Sequence, residues 1–202
     1  MEIIIISKTH KGQAACVGGM IVVNKQFVRI LNQGKRDQPA NTDFNIGDIW
    51  EVEFTKANNI IPPHIEDIII LYKRFSRRVG NVSDFILNSG VIIFRGSPEH
   101  IFNGKLGWTG SGVGYIENKE NLPDNSVGFW ISDIDLKFDG THYLYDSDNF
   151  FDPTKKIKFV GFQSIIDVIP AGTLIRISLA RWWKPEDSEM SERCYLQLSG
   201  WY

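Results

Sequence analysis

Arg193-Cys-Tyr-Leu-Gln-Leu-Ser-Gly-Trp-Tyr202 and, shortly before it, Ile175-Arg-Ile-Ser-Leu-Ala-Arg-Trp-Trp-Lys184 alternate apolar and polar residues with a period of two. Successive side chains of a strand point to opposite faces, so each stretch reads as a strand with one face buried. The closing Trp201-Tyr202 places that last strand in a core. The other end of the chain is built the same way. Strands are predicted at 3–7, 15–23, 27–31, 49–55 and 67–72, with Asn24-Lys25-Gln26 and Gly47-Asp48 as turns between them. Pro62-Pro63 bars a helix from the link before the fifth.

Strand signals return at 128–134, 142–145, 157–162, 173–180 and 193–199. The stretch between differs. Asn81-Val-Ser-Asp-Phe-Ile-Leu-Asn88 reads as a short capped helix, and Ser97-Pro98-Glu99-His100 as an N-cap before proline at the start of a second. Gly107-Trp-Thr-Gly-Ser-Gly-Val-Gly114 reads as a flexible turn. The prediction is an all-β (mainly β) chain. Two tandem OB-fold-like (oligonucleotide/oligosaccharide-binding) β-barrels at 1–78 and 127–202 are joined by a short helical and Gly-rich segment at 79–126. No fixed-period repeat links the two halves.

Composition supports this. The chain has 202 residues, 43% of them apolar, with six tryptophans, enough to fill two compact cores. No apolar run approaches the roughly 20 residues of a membrane span. Met1-Glu-Ile-Ile-Ile-Ile-Ser lacks the basic flank and small-residue cleavage site of a signal peptide. A cytoplasmic protein without a membrane partner is expected. Cys16 and Cys194 fall in predicted strands at opposite ends, outside any Cys-x-x-Cys pair, and read as buried free thiols. The net charge of −2 hides an asymmetry: +3 over residues 1–115 and −5 over 116–202. A polyanion is therefore expected to meet mainly the first half.

Several stretches together carry a family resemblance. Ile5-Ile-Ser-Lys-Thr-His-Lys-Gly12, then Cys16-Val-Gly-Gly-Met20 and Phe27-Val-Arg-Ile-Leu31, are similar to the opening of bacterial dual OB-containing (DuOB) proteins. The basic cluster here reads Lys8-Thr9-His10-Lys11-Gly12, a permuted form of the family's segment. Gly47-Asp48 with Pro62-Pro63-His64-Ile65-Glu66-Asp67 resembles its middle, and Ser178-Leu-Ala180 with 193–202 its end. The resemblance implies two OB folds and a nucleic-acid-binding role, often in bacterial conflict and defence systems.

The densest nucleic-acid signal is Tyr72-Lys-Arg-Phe-Ser-Arg-Arg78, four cations and two aromatics within seven residues. Cations neutralise phosphates and aromatic faces stack bases. In an extended chain Tyr72, Arg74 and Arg78 share one face while Lys73, Phe75 and Arg77 share the other, so at most one aromatic stacks. A solvated edge strand protected by charge has the same composition. Lys8, His10 and Lys11 follow the first strand, Arg29 lies on the third, and Lys35 and Arg36 occupy the next loop. In Arg181-Trp182-Trp183-Lys184 adjacent tryptophans face opposite ways, one toward the core and one outward beside cations.

Catalytic motifs are thin. Pro123-Asp124 with Asp135-Leu136-Lys137 spells the Pro-Asp…Asp-x-Lys string of a Mg²⁺-dependent nuclease, without the flanking helices that fold requires. Asp146-Ser-Asp148-x3-Asp152 lacks the glycine and final glutamate of a calcium loop. His64, Glu66 and Asp67 form a lone acidic-imidazole cluster. Gly110-x-Gly112-x-Gly114 follows no strand–helix crossover, and no phosphate loop or nucleophile elbow occurs. No metal or other cofactor and no enzymatic activity are expected. The expected function is non-catalytic binding of single-stranded DNA or RNA. A protein-interaction adaptor docking through the acidic half is the alternative, and a Mg²⁺-dependent nuclease the third reading.

Overall fold

The computed structural model describes residues 1–147 and 153–202; Asp148 and Asp152 of the acidic turn thus lie outside the described residues. The chain forms two compact units, Met1–Ile92 with Tyr202, and Ile93–Trp201. The expected connecting segment 79–126 is divided between them.

In the first unit, β1 (Glu2–Lys11), β2 (Ala14–Ile21), β3 (Phe27–Leu31), β4 (Gln38–Pro39), β5 (Asp48–Lys56) and β6 (Asp67–Arg78) precede the helix α1 (Val82–Leu87). Strand β1 pairs with both β2 and β5, β2 with β3, and β5 with β6, all antiparallel, while β3 and β6 run parallel. The five strands close on themselves in the OB Greek-key order. Ile3, Ile4, Ile5 and Ile6 are all fully buried. Such a continuous apolar run marks a strand covered on both faces. The sixth strand is longer than predicted, running on to Arg78 opposite Asp48. Asn81 caps α1 by accepting the Asp84 amide at 3.1 Å.

The second unit contains β7 (Ile93–Arg95), a 3-10 segment (Pro98–Gly104), β8 (Gly107–Trp108), β9 (Gly114–Ile116), β10 (Val127–Ile131), β11 (Leu136–Phe138), β12 (His142–Tyr145), β13 (Lys155–Phe159), β14 (Val168–Ile169), β15 (Leu174–Leu179) and β16 (Cys194–Trp201). Its central path is β11-β12-β13-β16-β15-β10, with β13 and β16 parallel. Residues 132–135 alone separate β10 from β11, so these two act as one broken first strand. Treated so, the second unit repeats the order of the first, parallel pair included. Trp130, Tyr143, Ile157, Ile177, Leu196 and Leu198 fill its core. Trp201 packs edge-on to Tyr143 at 5.6 Å, as the closing strand predicted.

Two expectations about the middle are corrected. The segment after Ser97 is no regular helix, because Phe102 and Asn103 take left-handed φ of 53° and 58°. Gly107–Gly114 is no flexible turn but carries the β8–β9 hairpin, which pairs onto β16. At Gly112 (φ +84°) a Cβ would stand 2.0 Å from the Thr154 carbonyl, so only glycine permits that approach. No helix among the described residues is long and apolar enough to cross a membrane.

Candidate nucleic-acid interface

An OB barrel binds ligands on the outer face of its second and third strands, between the first turn and the loop joining its last two strands. In the first barrel that face is β2–β3 with residues 12–13 and 57–66. Alternation sends Cys16, Gly18 and Arg29 outward, because Val17, Val28 and Ile30 fill the core. Arg29 forks onto Asp67, with Nε–Oδ1 at 2.6 Å and Nη2–Oδ2 at 2.7 Å, and lies 3.6 Å from Asp37. Lys11 meets the same Asp37 at 2.8 Å. Structure thus brings Lys11 and Arg29 together, but through carboxylates.

The Tyr72–Arg78 stretch lies elsewhere, on β6 against β5. Asp48 and Glu51 stand directly opposite Arg78 and Arg74 in the register and pair with them. Arg77 pairs with Glu2, and Lys73 with Asp43. Arg77 holds the Glu2 carboxyl below the usual carboxylate range. Lys73 also covers the rings of Phe44 and Trp50, at 4.3 and 4.9 Å. Phe75 packs edge-on to Trp50 at 5.7 Å yet stays exposed, as does Tyr72 opposite Glu53. Each of the four cations in this segment therefore carries its own carboxylate. Lys8 donates to the Thr42 carbonyl at 3.2 Å, and His10 is exposed near the end of β1. Lys35 and Arg36 sit exposed in the loop after β3, without a carboxylate partner among the described residues.

The corresponding face of the second barrel is β12–β13, flanked by residues 139–141 and by the loop 180–193. Here register builds a polar row. His142 stands opposite Lys158, and Lys158 opposite Gln197, all outward because Tyr143, Ile157, Leu196 and Leu198 point into the core. Beside this row lies an aromatic one. Trp183, in the loop, is 55% exposed, with its ring 6.2 Å from that of Tyr195. Tyr195 approaches Tyr115 at 6.4 Å, and the Arg193 guanidinium covers Tyr115 at 4.0 Å. Trp182 instead packs on the core, with Lys119 5.0 Å from its ring, so the tryptophan pair divides inward and outward. Arg181 is half-buried beside it.

The two rows enclose a groove of about 260 Å³ lined by His142, Lys158, Trp183, Tyr195 and Gln197. Lys158 is exposed and has no carboxylate partner among the described residues. Asp139 lies 3.8 Å from His142, and the backbone N–H groups of His142 and Thr141 hold its carboxyl below the usual range. His142, Lys158, Tyr195 and Gln197 escaped sequence reasoning. They are scattered over 56 positions, and only the antiparallel β12–β13 and parallel β13–β16 registers align them.

Asp135 of the nuclease string, and Asp133 two residues before it, have structural partners. Asp135 accepts the Ala171 amide at 2.8 Å, and Asp133 the Tyr145 hydroxyl at 3.0 Å. Asp124 is exposed. No group of three or more His, Cys, Asp or Glu able to hold a metal ion occurs among the described residues. Cys194 is buried, and burial pushes its thiol up to about 12.

The family model of the dual OB-containing domain matches residues 1–201, and the chain belongs to that family. No curated protein and no solved structure matches it.

Proposed function

We propose that this dual OB chain is a non-catalytic module that binds single-stranded nucleic acid across the outer face of its second barrel. The observation that carries this reading is the groove itself. It places an exposed indole beside a cation without a carboxylate partner among the described residues, at the position where OB barrels take their ligands. A base stacks on Trp183, a contact worth about 1–3 kcal/mol. Lys158 neutralises the adjoining phosphate and releases its counterion.

Lys11, Arg29 and the four cations of the Tyr72–Arg78 segment are already paired with carboxylates, so they add little, and Lys35 and Arg36 lie in the loop after β3. The loop 180–193 sets Glu186, Asp187, Glu189 and Glu192 against Arg181, Lys184 and Arg193, a net charge of −1, and so offers no extended basic track. The groove therefore suits one or two nucleotides of a strand more than an extended electrostatic track. The same loop, with Met190 and Trp183 both exposed on it, favours a protein partner as the second reading.

Fluorescence-anisotropy titration of labelled single-stranded DNA and RNA at two salt concentrations tests the proposal. Binding is expected with a shallow salt dependence, a log–log slope of about −0.7 per phosphate for one or two phosphates. Absence of binding to either strand would overturn it and direct the search to a protein partner.

A further inference from the structure

Strand β6 is paired on one side only over most of its length. Strand β3 meets it at Asp67, Ile68 and Ile69, whereas β5 follows its other side as far as Arg78. The Gln33 amide donates to the Leu71 carbonyl at 2.9 Å, and beyond that point no strand among the described residues pairs with this side. In a strand paired on one side, alternate residues point their N–H and C=O groups away from the neighbour. The end of β6 therefore offers a row of backbone donors and acceptors to a further strand.

Its side chains are not those of an edge guarded by charge alone. Leu71, Tyr72 and Phe75 are 49%, 53% and 50% exposed, close together where exposed apolar side chains ordinarily occur singly. Register sets the length of the open edge. Leu71 and Ser76 fall at bulges, and between them Tyr72, Lys73, Arg74 and Phe75 face Glu53, Val52, Glu51 and Trp50 without a break. That regular stretch spans about 13 Å at about 3.3 Å per residue. It suits a short segment, and the bulges at both ends keep a sheet from growing further along it.

Charge names the chemistry of that segment. Glu51 and Asp48 on β5, and Glu2 on β1 next to it, hold Arg74, Arg78 and Arg77 from the paired side. Arg74 gives Nε and Nη2 to a single oxygen of Glu51, with Nε at 3.1 Å, and its Nη1 has no acceptor among the described residues. On the open side no paired strand brings a carboxylate. Two copies of β6 set edge to edge would place like charges across from one another, which is unfavourable. We propose that the open edge of β6 is a docking site for an extended acidic segment of a partner protein, which adds a strand to the first barrel along Tyr72–Phe75. Backbone hydrogen bonds hold the segment, as in other strand additions. Tyr72 and Arg74 share the outer face, while Lys73 and Phe75 share the face of the buried Val52 and Trp50. An incoming strand of alternating character thus sets acidic side chains beside Arg74 and apolar ones beside Phe75. This site does not rest on the single-strand reading above.

The test uses the full chain with fluorescein-labelled peptides of alternating glutamate and valine, or of alternating lysine and valine. Anisotropy reads affinity, and hydrogen–deuterium exchange reads the β6 amides. The glutamate peptide is expected to bind at least about 10-fold more tightly than the lysine peptide and to slow exchange within Tyr72–Phe75. Methylating the backbone nitrogens of only the glutamates, or of only the valines, blocks one edge of the peptide. One of these forms is expected to lose at least about 5-fold in affinity and the other to keep it. Arg74→Glu is expected to weaken the glutamate peptide about 10-fold or more. Tyr72→Ala, an exposed change that leaves the thermal melt in place, is expected to weaken it about 3-fold. Equal affinity for the two peptides would overturn the acidic chemistry. Full affinity in both methylated forms, or protection outside β6, would overturn strand addition. Self-association of the intact chain in sedimentation, abolished by Tyr72→Ala, would make a second copy the occupant. Displacement of the peptide by a thymidine strand would give the edge to nucleic acid. Either result would overturn the proposal, as would absence of binding to the glutamate peptide.

Discussion

In the first barrel Asp48 and Glu51 stand across the sheet from Arg78 and Arg74, and Glu2 and Asp43 reach Arg77 and Lys73. In the second barrel Lys158 stands between His142 and Gln197 with no carboxylate opposite it. The unit with the positive sequence charge has its densest basic segment neutralised by its own strands. The unit with the negative charge presents a cation and an indole to solvent. Charge density along a chain is therefore a poor guide to surface potential in a β-barrel, because the strand register decides which charges meet.

The contrast can be broken most severely at Trp183. Trp183→Ala is expected to lower affinity for a single-stranded oligonucleotide about 10-fold or more by anisotropy, since it removes the stacking face. An unchanged affinity would remove the second barrel from the interface. Lys158→Ala is expected to weaken binding several-fold and to flatten the log–log salt slope by about 0.7, one phosphate contact. A lost affinity with an unchanged slope would mean that Lys158 acts through packing and not charge.

The first barrel gives a test with the opposite sign. In Glu2→Gln/Glu51→Gln the arginines opposite lose their carboxylates, and salt-sensitive binding is expected to rise about 2- to 3-fold at low ionic strength. No rise would show that these arginines fail to reach a strand even when unmasked. The smallest effect concerns pH. Arg77 depresses the Glu2 carboxyl in the folded chain, so the pair stabilises the fold above the unfolded value of about 4.3 and stops doing so as pH falls through the depressed one. The urea midpoint of Glu2→Gln should therefore lie slightly below that of the intact chain at pH 6 and converge on it as pH falls through the depressed value. A difference that persisted below that value would assign the effect to packing.

Much of the fold is legible in the sequence, and for a physical reason. Alternation in Cys194–Trp201 and the buried run Ile3–Ile6 are imposed by burial of individual strands, which is a local property. The duplicated strand order is not local. The second barrel breaks its first strand at 132–135, and no fixed-period repeat links the halves from which the shared order could be read. The same distinction governs the site. That Trp182 and Trp183 face opposite ways follows from alternation. That Arg74 and Arg77 are neutralised, and that His142, Lys158 and Gln197 form one row, depends on pairings between segments far apart in the chain.

Photo-crosslinking of a 4-thiothymidine-containing single strand, followed by mass-spectrometric mapping of the modified peptides, tests the central claim most directly, because both barrels expose aromatic side chains able to react. The account predicts adducts at Trp183 and Tyr195. Adducts confined to Tyr72 and Phe75 would contradict it and return the interface to the basic strand of the first barrel.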